Sequence, residues 1–147
     1  MDRGLAIGLT AVAGGLVALQ APINSILGRS VGTFQAAFVS FAIGTLLLAM
    51  IATLAKGGLG QIGEARHVSW YYLTGGLLGA AYVTTILVTV RSLGAGGAVA
   101  ATIAGQLTMS VIVDHYGLLG VNRDPVHVLK LVGVALLALG TYLVVRK

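Results

Sequence analysis

Residues 4–27 read GLAIGLTAVAGGLVALQAPINSIL, and no formal charge interrupts the 25 residues between Arg3 and Arg29. An α-helix rises about 1.5 Å per residue, so about 20 residues cross the roughly 30 Å hydrocarbon core of a bilayer. A charged side chain at the centre of that core costs about 3 kcal/mol or more. The stretch therefore predicts a membrane-spanning helix.

The composition of the whole chain agrees with this prediction. Of the 147 residues, 57% are hydrophobic and 9% are charged, whereas a soluble domain carries about 25% charged residues. A chain this apolar is neither a soluble domain nor disordered. The basic residues are scattered singly, which argues against nucleic-acid binding. There is no cysteine, and His67, His115 and His127 lie in separate loops, so we expect no metal site and no cofactor.

Charged residues divide the remaining sequence into similar stretches, which predict an all-α integral membrane protein with five transmembrane helices. The last stretch is the shortest, so we expect its helix to start at Pro125, with Asp124 as the N-cap and Lys130 reaching back to the lipid headgroups. We treat residues 1–147 as one transmembrane domain. The predicted spans are residues 4–27, 32–55, 69–90, 95–114 and 125–145.

The basic residues are almost evenly distributed between the two sides of this five-span arrangement. One side holds five of them (Arg3, Lys56, Arg66, Arg123 and Lys130), and the other holds four (Arg29, Arg91, Arg146 and Lys147). Since an excess of Lys and Arg normally fixes the cytoplasmic side, the near tie predicts insertion in both orientations. Such a chain can pair with its inverted copy as an antiparallel homodimer, a ten-helix inverted-repeat bundle. Chance is the alternative explanation of the balance.

Two stretches resemble the signature segments of the YdcZ family of small membrane proteins, which belongs to the drug/metabolite transporter superfamily. They are NSILGRSVGTFQAAFVSFAIGTLLL at residues 24–48 and GQLTMSVIVDHYGLLG at residues 105–120. The resemblance implies that two antiparallel five-helix chains form a bundle like the ten-helix transporters, with a central cavity between the first, third and fourth helices of each half. It does not imply a substrate.

The fourth predicted span carries a ridge of polar residues spaced four apart, which place them on one helix face. These residues are Thr102, Gln106, Ser110 and Asp114. Either they line a substrate pathway, with the Gln106 amide near mid-depth, or they hold helices together by hydrogen bonds. Asp114, next to His115, either couples transport to protons or a cation, or accepts hydrogen bonds from the following loop.

Further candidates lie in the first and third spans. Gln20 and Asn24 are one turn apart, and Pro22 between them either opens a site or merely bends the helix. Gln35 in the second span could meet this pair. Tyr82, deeper in the third span than the expected interfacial anchors Trp70, Tyr71 and Tyr72, either contacts substrate or bonds to a neighbouring helix.

Glycine spacing predicts close helix packing rather than a phosphate-binding loop. Small residues recur four apart at Gly4 and Gly8, at Gly75 and Gly79, and at Gly97, Ala101 and Gly105. Gly133 and Gly140 suggest a further contact seam in the fifth span.

We therefore predict a secondary transporter of a small solute, an exporter in the prokaryotic plasma (inner) membrane that works by alternating access as a dual-topology homodimer. No nucleophile is paired with a base inside the membrane, so an enzyme is not expected. The embedded glutamate of related multidrug exporters is absent, and the amides at residues 20 and 24 suit a neutral or zwitterionic solute. The alternatives are a dual-topology channel and a non-transporting scaffold or partner subunit.

Overall fold

The computed structural model describes residues 2–56 and 58–146, and every regular element among them is helical. Four helical segments are long and apolar enough to cross a membrane: Arg3–Val31, Thr33–Ala55, Trp70–Tyr116 and Val128–Val145. The predicted all-helical membrane fold is thus confirmed. The elements in chain order are α1 (Arg3–Val31), α2 (Thr33–Lys56), 3-10 helices at Gly60–His67 and Trp70–Thr74, α3 (Gly75–Tyr116), a 3-10 turn at Leu118–Gly120, and α4 (Val128–Val145).

Helix α3 is interrupted at Gly94, whose backbone angles are φ 71° and ψ 169°. Only glycine adopts this region without strain, because any Cβ would clash with the backbone. The interruption divides α3 into residues 75–93 and 95–116, and each part is close to the roughly 20 residues that one crossing needs. The division falls between the predicted third and fourth spans. The count of five crossings itself stays a prediction.

Helices α1 and α2 form a tight hairpin around one linking residue. Asp2 caps the start of α1, where its Oδ2 accepts hydrogen bonds from the N–H groups of Gly4 and Leu5. The helix continues through Pro22 and ends at Gly32, whose φ of 95° suits glycine. The Gly32 N–H donates to the Gly28 carbonyl at 3.1 Å, and the Gly32 carbonyl accepts from the Ala36 N–H at 2.9 Å. Gly32 thereby makes one backbone hydrogen bond with each of the two helices, and no longer loop is needed between them.

The first of two compact units comprises Met1–Arg91. Its core contains Ala36 and Ala37 of α2 with Val83 and Leu87 of α3, and Leu27 and Tyr82 pack against them. The Phe41 ring lies 3.5 Å from where a Cβ on Gly79 would stand. Contacts at both ends of this run show that α2 and the first part of α3 are antiparallel. The small residues allow the close approach on which helix association in lipid depends.

The second compact unit, Ser92–Lys147, pairs the second part of α3 with α4. Val145 lies 3.4 Å from the position of a Cβ on Gly97, and the Thr141 hydroxyl donates to the Ala100 carbonyl at 3.0 Å. These contacts pair the start of one helix with the end of the other, so the two helices are antiparallel.

The start of α4 corrects the prediction that Asp124 caps a helix beginning at Pro125. The helix begins at Val128, and His127 in the N-cap position makes no side-chain capping bond. The Asp124 N–H instead donates to the Asp114 carbonyl at 2.9 Å, and the Val126 N–H donates to Nδ1 of His115 at 3.1 Å. Residues 124–126 thus lie outside the helix and are bonded to the end of α3.

The third predicted span, residues 69–90, begins one residue before the helical segment Trp70–Tyr116 that is apolar enough to cross a membrane. The first turns of that segment, residues 70–74, form a 3-10 helix, and the α-helix follows from Gly75. The aromatic run is exposed there, with Tyr71 and Tyr72 ring centroids 4.4 Å apart.

The glycine spacing has mixed outcomes. Gly79 and Gly97 receive neighbouring side chains as predicted, whereas no atom lies within 4 Å of a Cβ placed on Gly8, Gly75 or Gly105 in the described parts of the chain. The same is true of Gly133 and Gly140. A Cβ on Gly4 would meet Oδ2 of Asp2, the capping residue of the same helix, at 3.1 Å.

Substituting Gly94 tests whether its backbone conformation divides α3. We expect Gly94→Ala to destabilise the protein by about 1–3 kcal/mol, because alanine is strained at positive φ with an extended ψ. Thermal unfolding in detergent measures the change. The matched control is Gly105→Ala in the same helix, where the added methyl meets nothing and alanine favours the helix. Equal unfolding midpoints for the two variants would contradict the assignment.

Candidate functional site

A cleft in the first unit brings together three of the residues predicted from the sequence, Gln20, Asn24 and Tyr82. The cleft is partly open, and its enclosed part has room for about one water molecule. A solute would therefore need the cleft to widen, since small-molecule sites usually measure roughly 300–1,000 Å³. The full lining is Val17, Gln20, Ala21, Asn24, Tyr82, Val83, Ile86 and Leu87.

The cleft lies where α1 faces the first part of α3. Residues 17, 20, 21 and 24 are spaced three and four apart, so they share one face of α1. Residues 82, 83, 86 and 87 do the same on α3. The residue spacing could identify each polar residue, and the family resemblance implied a cavity between the first and third helices, but neither showed which residues of the two helices lie opposite each other.

Asn24 is the most deeply placed polar residue of the cleft, with a relative exposure of 5%. Its Nδ2 donates to the Ser40 hydroxyl of α2 at 3.0 Å. A buried amide needs such a partner because leaving it unsatisfied costs about 1–3 kcal/mol. The bond fixes the orientation of the Asn24 amide beside the cleft.

Ser40 is a residue that sequence reasoning missed. The only available signal was its position, since Asn24 and Ser40 are equally far from Gly32 and therefore face each other across the α1–α2 hairpin. The expectation that Gln35 meets the polar pair is wrong for Asn24, whose hydrogen-bond partner is Ser40. Gln35 is exposed and folds its amide over Gly32, at the turn.

The remaining candidates lie in the second unit, on the part of α3 that follows Gly94. Thr102 and Asp114 are half-buried, and Gln106 and Ser110 are exposed. The structure therefore does not place these four among the residues that line the cleft.

At the end of α3, the backbone and the His115 ring fasten the loop that leads to α4. The Asp114 carbonyl accepts from the N–H groups of Gly117 at 3.2 Å and Asp124 at 2.9 Å. The His115 carbonyl accepts from Nε of Arg123 at 3.0 Å, and the His115 ring accepts from the Val126 N–H. His115 thus has a structural role. The loop bonds of Asp114 involve its backbone and leave its carboxylate for other contacts.

The charged groups near this loop are partly paired. Nζ of Lys130 lies 2.6 Å from Oδ2 of Asp124 and also donates to the Asp124 carbonyl at 3.2 Å. Lys130 therefore reaches back to Asp124, ahead of α4, and its predicted contact with the lipid headgroups stays a prediction. The hydrogen bond from Lys130 lowers the pKa of the Asp124 carboxyl.

Five threonine hydroxyls of the helices are satisfied inside their own helix. Each of these donates to the carbonyl four residues earlier, and so needs no partner on another helix. The residues are Thr10, Thr53, Thr85, Thr89 and Thr108. The Thr141 hydroxyl lies within hydrogen-bond distance of both the Leu137 carbonyl in its own helix and the Ala100 carbonyl in α3.

No charged residue lines the cleft that the structure describes. Two amide side chains and a phenol provide donors and acceptors, and the aliphatic residues provide an apolar wall. This arrangement can hold a small neutral or zwitterionic group by hydrogen bonds and contact.

Comparison with known proteins gives one match. A family model described as "Putative inner membrane exporter, YdcZ" matches residues 5–143, which confirms the resemblance drawn from the two signature segments. No curated protein and no solved structure matches the chain. The match indicates an inner-membrane exporter of a small molecule rather than an enzyme, and the four apolar helical segments agree with it.

The bond between Asn24 and Ser40 can be tested by removing its acceptor. We expect Ser40→Ala to lower stability by about 0.6–1.7 kcal/mol, the range found for hydrogen bonds between membrane helices. Thermal unfolding in detergent measures the change. Thr108→Ala is the control, because that exposed hydroxyl bonds only within its own helix. An unchanged midpoint for Ser40→Ala would show that the bond does not stabilise the hairpin.

Proposed function

Because the chain belongs to the YdcZ family of inner-membrane exporters, we propose that it moves a small neutral or zwitterionic solute by alternating access, as a dual-topology antiparallel homodimer of five-span chains. The observation that carries the proposal is the uncharged cleft at Gln20, Asn24 and Tyr82. A site of this kind in a membrane exporter is suited to a substrate, because polar groups are costly in lipid unless they have partners.

The chemistry of the cleft supports the choice of substrate class. A permanent cation would leave its charge without a carboxylate in this lining, and desolvating an unpaired charge costs several kcal/mol. A neutral or zwitterionic solute can exchange its water for the Gln20 amide and the Tyr82 hydroxyl. Asn24 is already oriented by Ser40, so less conformational freedom is lost on binding.

The second unit supports a partner chain. Gln106 and Ser110 are exposed, and none of the α4 residues is buried. An amide facing hydrocarbon is unfavourable, so we propose that the ridge of Thr102, Gln106, Ser110 and Asp114 faces a water-filled pathway or an inverted second copy. In an inverted-repeat transporter such a pathway lies between the two halves.

The near tie of basic residues supports the two orientations of that pair. Five basic residues against four give almost no preference for either side in a five-span chain. The interruption of α3 at Gly94 supports the five spans. The segment from Trp70 to Tyr116 has 47 residues, which is far more than one crossing needs, and Gly94 divides it. We further propose that both units form one transmembrane domain.

Binding at the cleft is tested with Gln20→Leu, which keeps a similar volume and removes the amide. We expect solutes that stabilise the wild-type chain, from a panel of neutral and zwitterionic amino acids and sugars, to bind about 2–10-fold more weakly, since one hydrogen bond contributes about 0.5–1.5 kcal/mol. Thermal shift and uptake into proteoliposomes measure the change.

The control is Gln61→Leu, an exposed glutamine in the first 3-10 helix. Equal binding by both variants would contradict the site. Saturation and counterflow in the same liposomes separate a carrier from a channel, and no flux by the purified chain would favour a scaffold subunit.

Orientation is tested with Ser69→Cys and Ser92→Cys, of which the first begins the predicted third span and the second follows it. The chain has no native cysteine, so a thiol reagent labels one position in each variant. We expect a membrane-impermeant maleimide to label about half of each variant in intact cells. Complete labelling of one variant and none of the other would establish a single orientation and contradict dual topology.

A further inference from the structure

Arg91 reaches from α3 to the turn between α1 and α2. Its Nη2 lies 3.4 Å from Oγ1 of Thr33 and 3.0 Å from where a Cβ on Gly28 would stand. Gly28 is buried, and the absence of a side chain there leaves room for the guanidinium. The contact joins residues 58 positions apart in sequence, so the fold holds this charge at a defined place.

A second guanidinium belongs to the same end of the hairpin. Arg29 directly follows Gly28 and lies in the last turn of α1. Both arginines are exposed, and within residues 2–56 and 58–146 the ion pair that the structure shows joins Lys130 and Asp124 instead. Arg29 and Arg91 are therefore positive charges without a carboxylate partner in the described chain.

The acidic residues do not neutralise the two arginines at this end of the α1–α2 hairpin. The chain has four of them, Asp2, Glu64, Asp114 and Asp124. In the proposed five-span arrangement all four lie on the side opposite Arg29 and Arg91. This step depends on the proposed topology, whereas the contact of Arg91 with the turn does not.

We propose that Arg91, with Arg29 and the Thr33 hydroxyl, forms a binding site for a phosphate-bearing anion, and that the anion is the headgroup of an anionic phospholipid. Guanidinium groups bind phosphate oxygens through paired N–H donors. Thr33 accepts from Arg91 and keeps its own O–H to donate. The turn ends two membrane-spanning helices, which is the depth of lipid headgroups rather than of dissolved ions.

The site is tested by titrating the delipidated full-length chain in a nonionic detergent and following the thermal unfolding midpoint. The probes are short-chain phosphatidylglycerol, short-chain phosphatidylcholine and inorganic phosphate. We expect phosphatidylglycerol to raise the midpoint at the lowest concentration, and high salt to reduce the effect. Arg91→Gln and Arg29→Gln should each weaken its apparent affinity by roughly fivefold, as expected for one basic residue near an anionic surface.

Two further variants test whether the planar guanidinium of Arg91 and its position matter for binding. Arg91→Lys keeps the charge without the planar fork, so it should bind more tightly than Arg91→Gln and less tightly than the wild type. Arg66→Gln, which removes an exposed arginine from the first 3-10 helix, should leave the affinity unchanged.

Equal affinity for phosphatidylglycerol in the wild type, Arg91→Gln and Arg29→Gln would overturn the site. An equal response to inorganic phosphate or to phosphatidylcholine would overturn the assignment to an anionic lipid. None of these readouts measures transport or orientation, so they fail independently of the proposed function.

Discussion

The whole structure depends on one constraint, that a peptide backbone in lipid must satisfy its own hydrogen bonds. Helices meet this requirement along most of the chain, and two of the places where they stop are closed by specific hydrogen bonds. At Gly32, which links α1 to α2, the N–H donates to the last turn of α1 and the carbonyl accepts from the first turn of α2. The end of α3 accepts hydrogen bonds from the amides of the loop that precedes α4. Side-chain packing then adds the specificity, through alanine and glycine contacts that let helices approach without a hydrophobic drive.

The sequence predicted the helices well because charge and length are strong signals in a chain with so few charged residues. The division at Gly94 falls between predicted spans, and Gly32 is the first residue of the predicted second span. The start of α4 was predicted wrongly, because local preferences at Asp124 and Pro125 favour a helix there. In the structure the N–H groups of Asp124 and Val126 donate to Asp114 and His115 at the end of α3, a contact that the local sequence does not indicate.

The candidate site was predictable only in part, and the reason is geometric. Gln20 and Asn24 share a helix face by their spacing, and both line the cleft with Tyr82. Their spacing says nothing about which helix lies opposite. The family resemblance, and not the spacing, implied that the third helix takes part, and the partner Ser40 did not follow from the sequence. The polar ridge of the fourth span shows a second limit of prediction from sequence. Its periodicity identifies a face, but the group that this face meets depends on the assembly.

The hydroxyl bonds within the helices have a consequence for how such sequences are interpreted. A threonine whose hydroxyl proton is held by the preceding turn exposes no unpaired donor to the bilayer, so its cost of insertion is lowered. Asparagine and glutamine have no equivalent means of hiding their amides along a straight helix. Hydropathy scales that give each residue type one value therefore overstate the polarity of membrane segments rich in threonine, and they understate how informative a single embedded amide is.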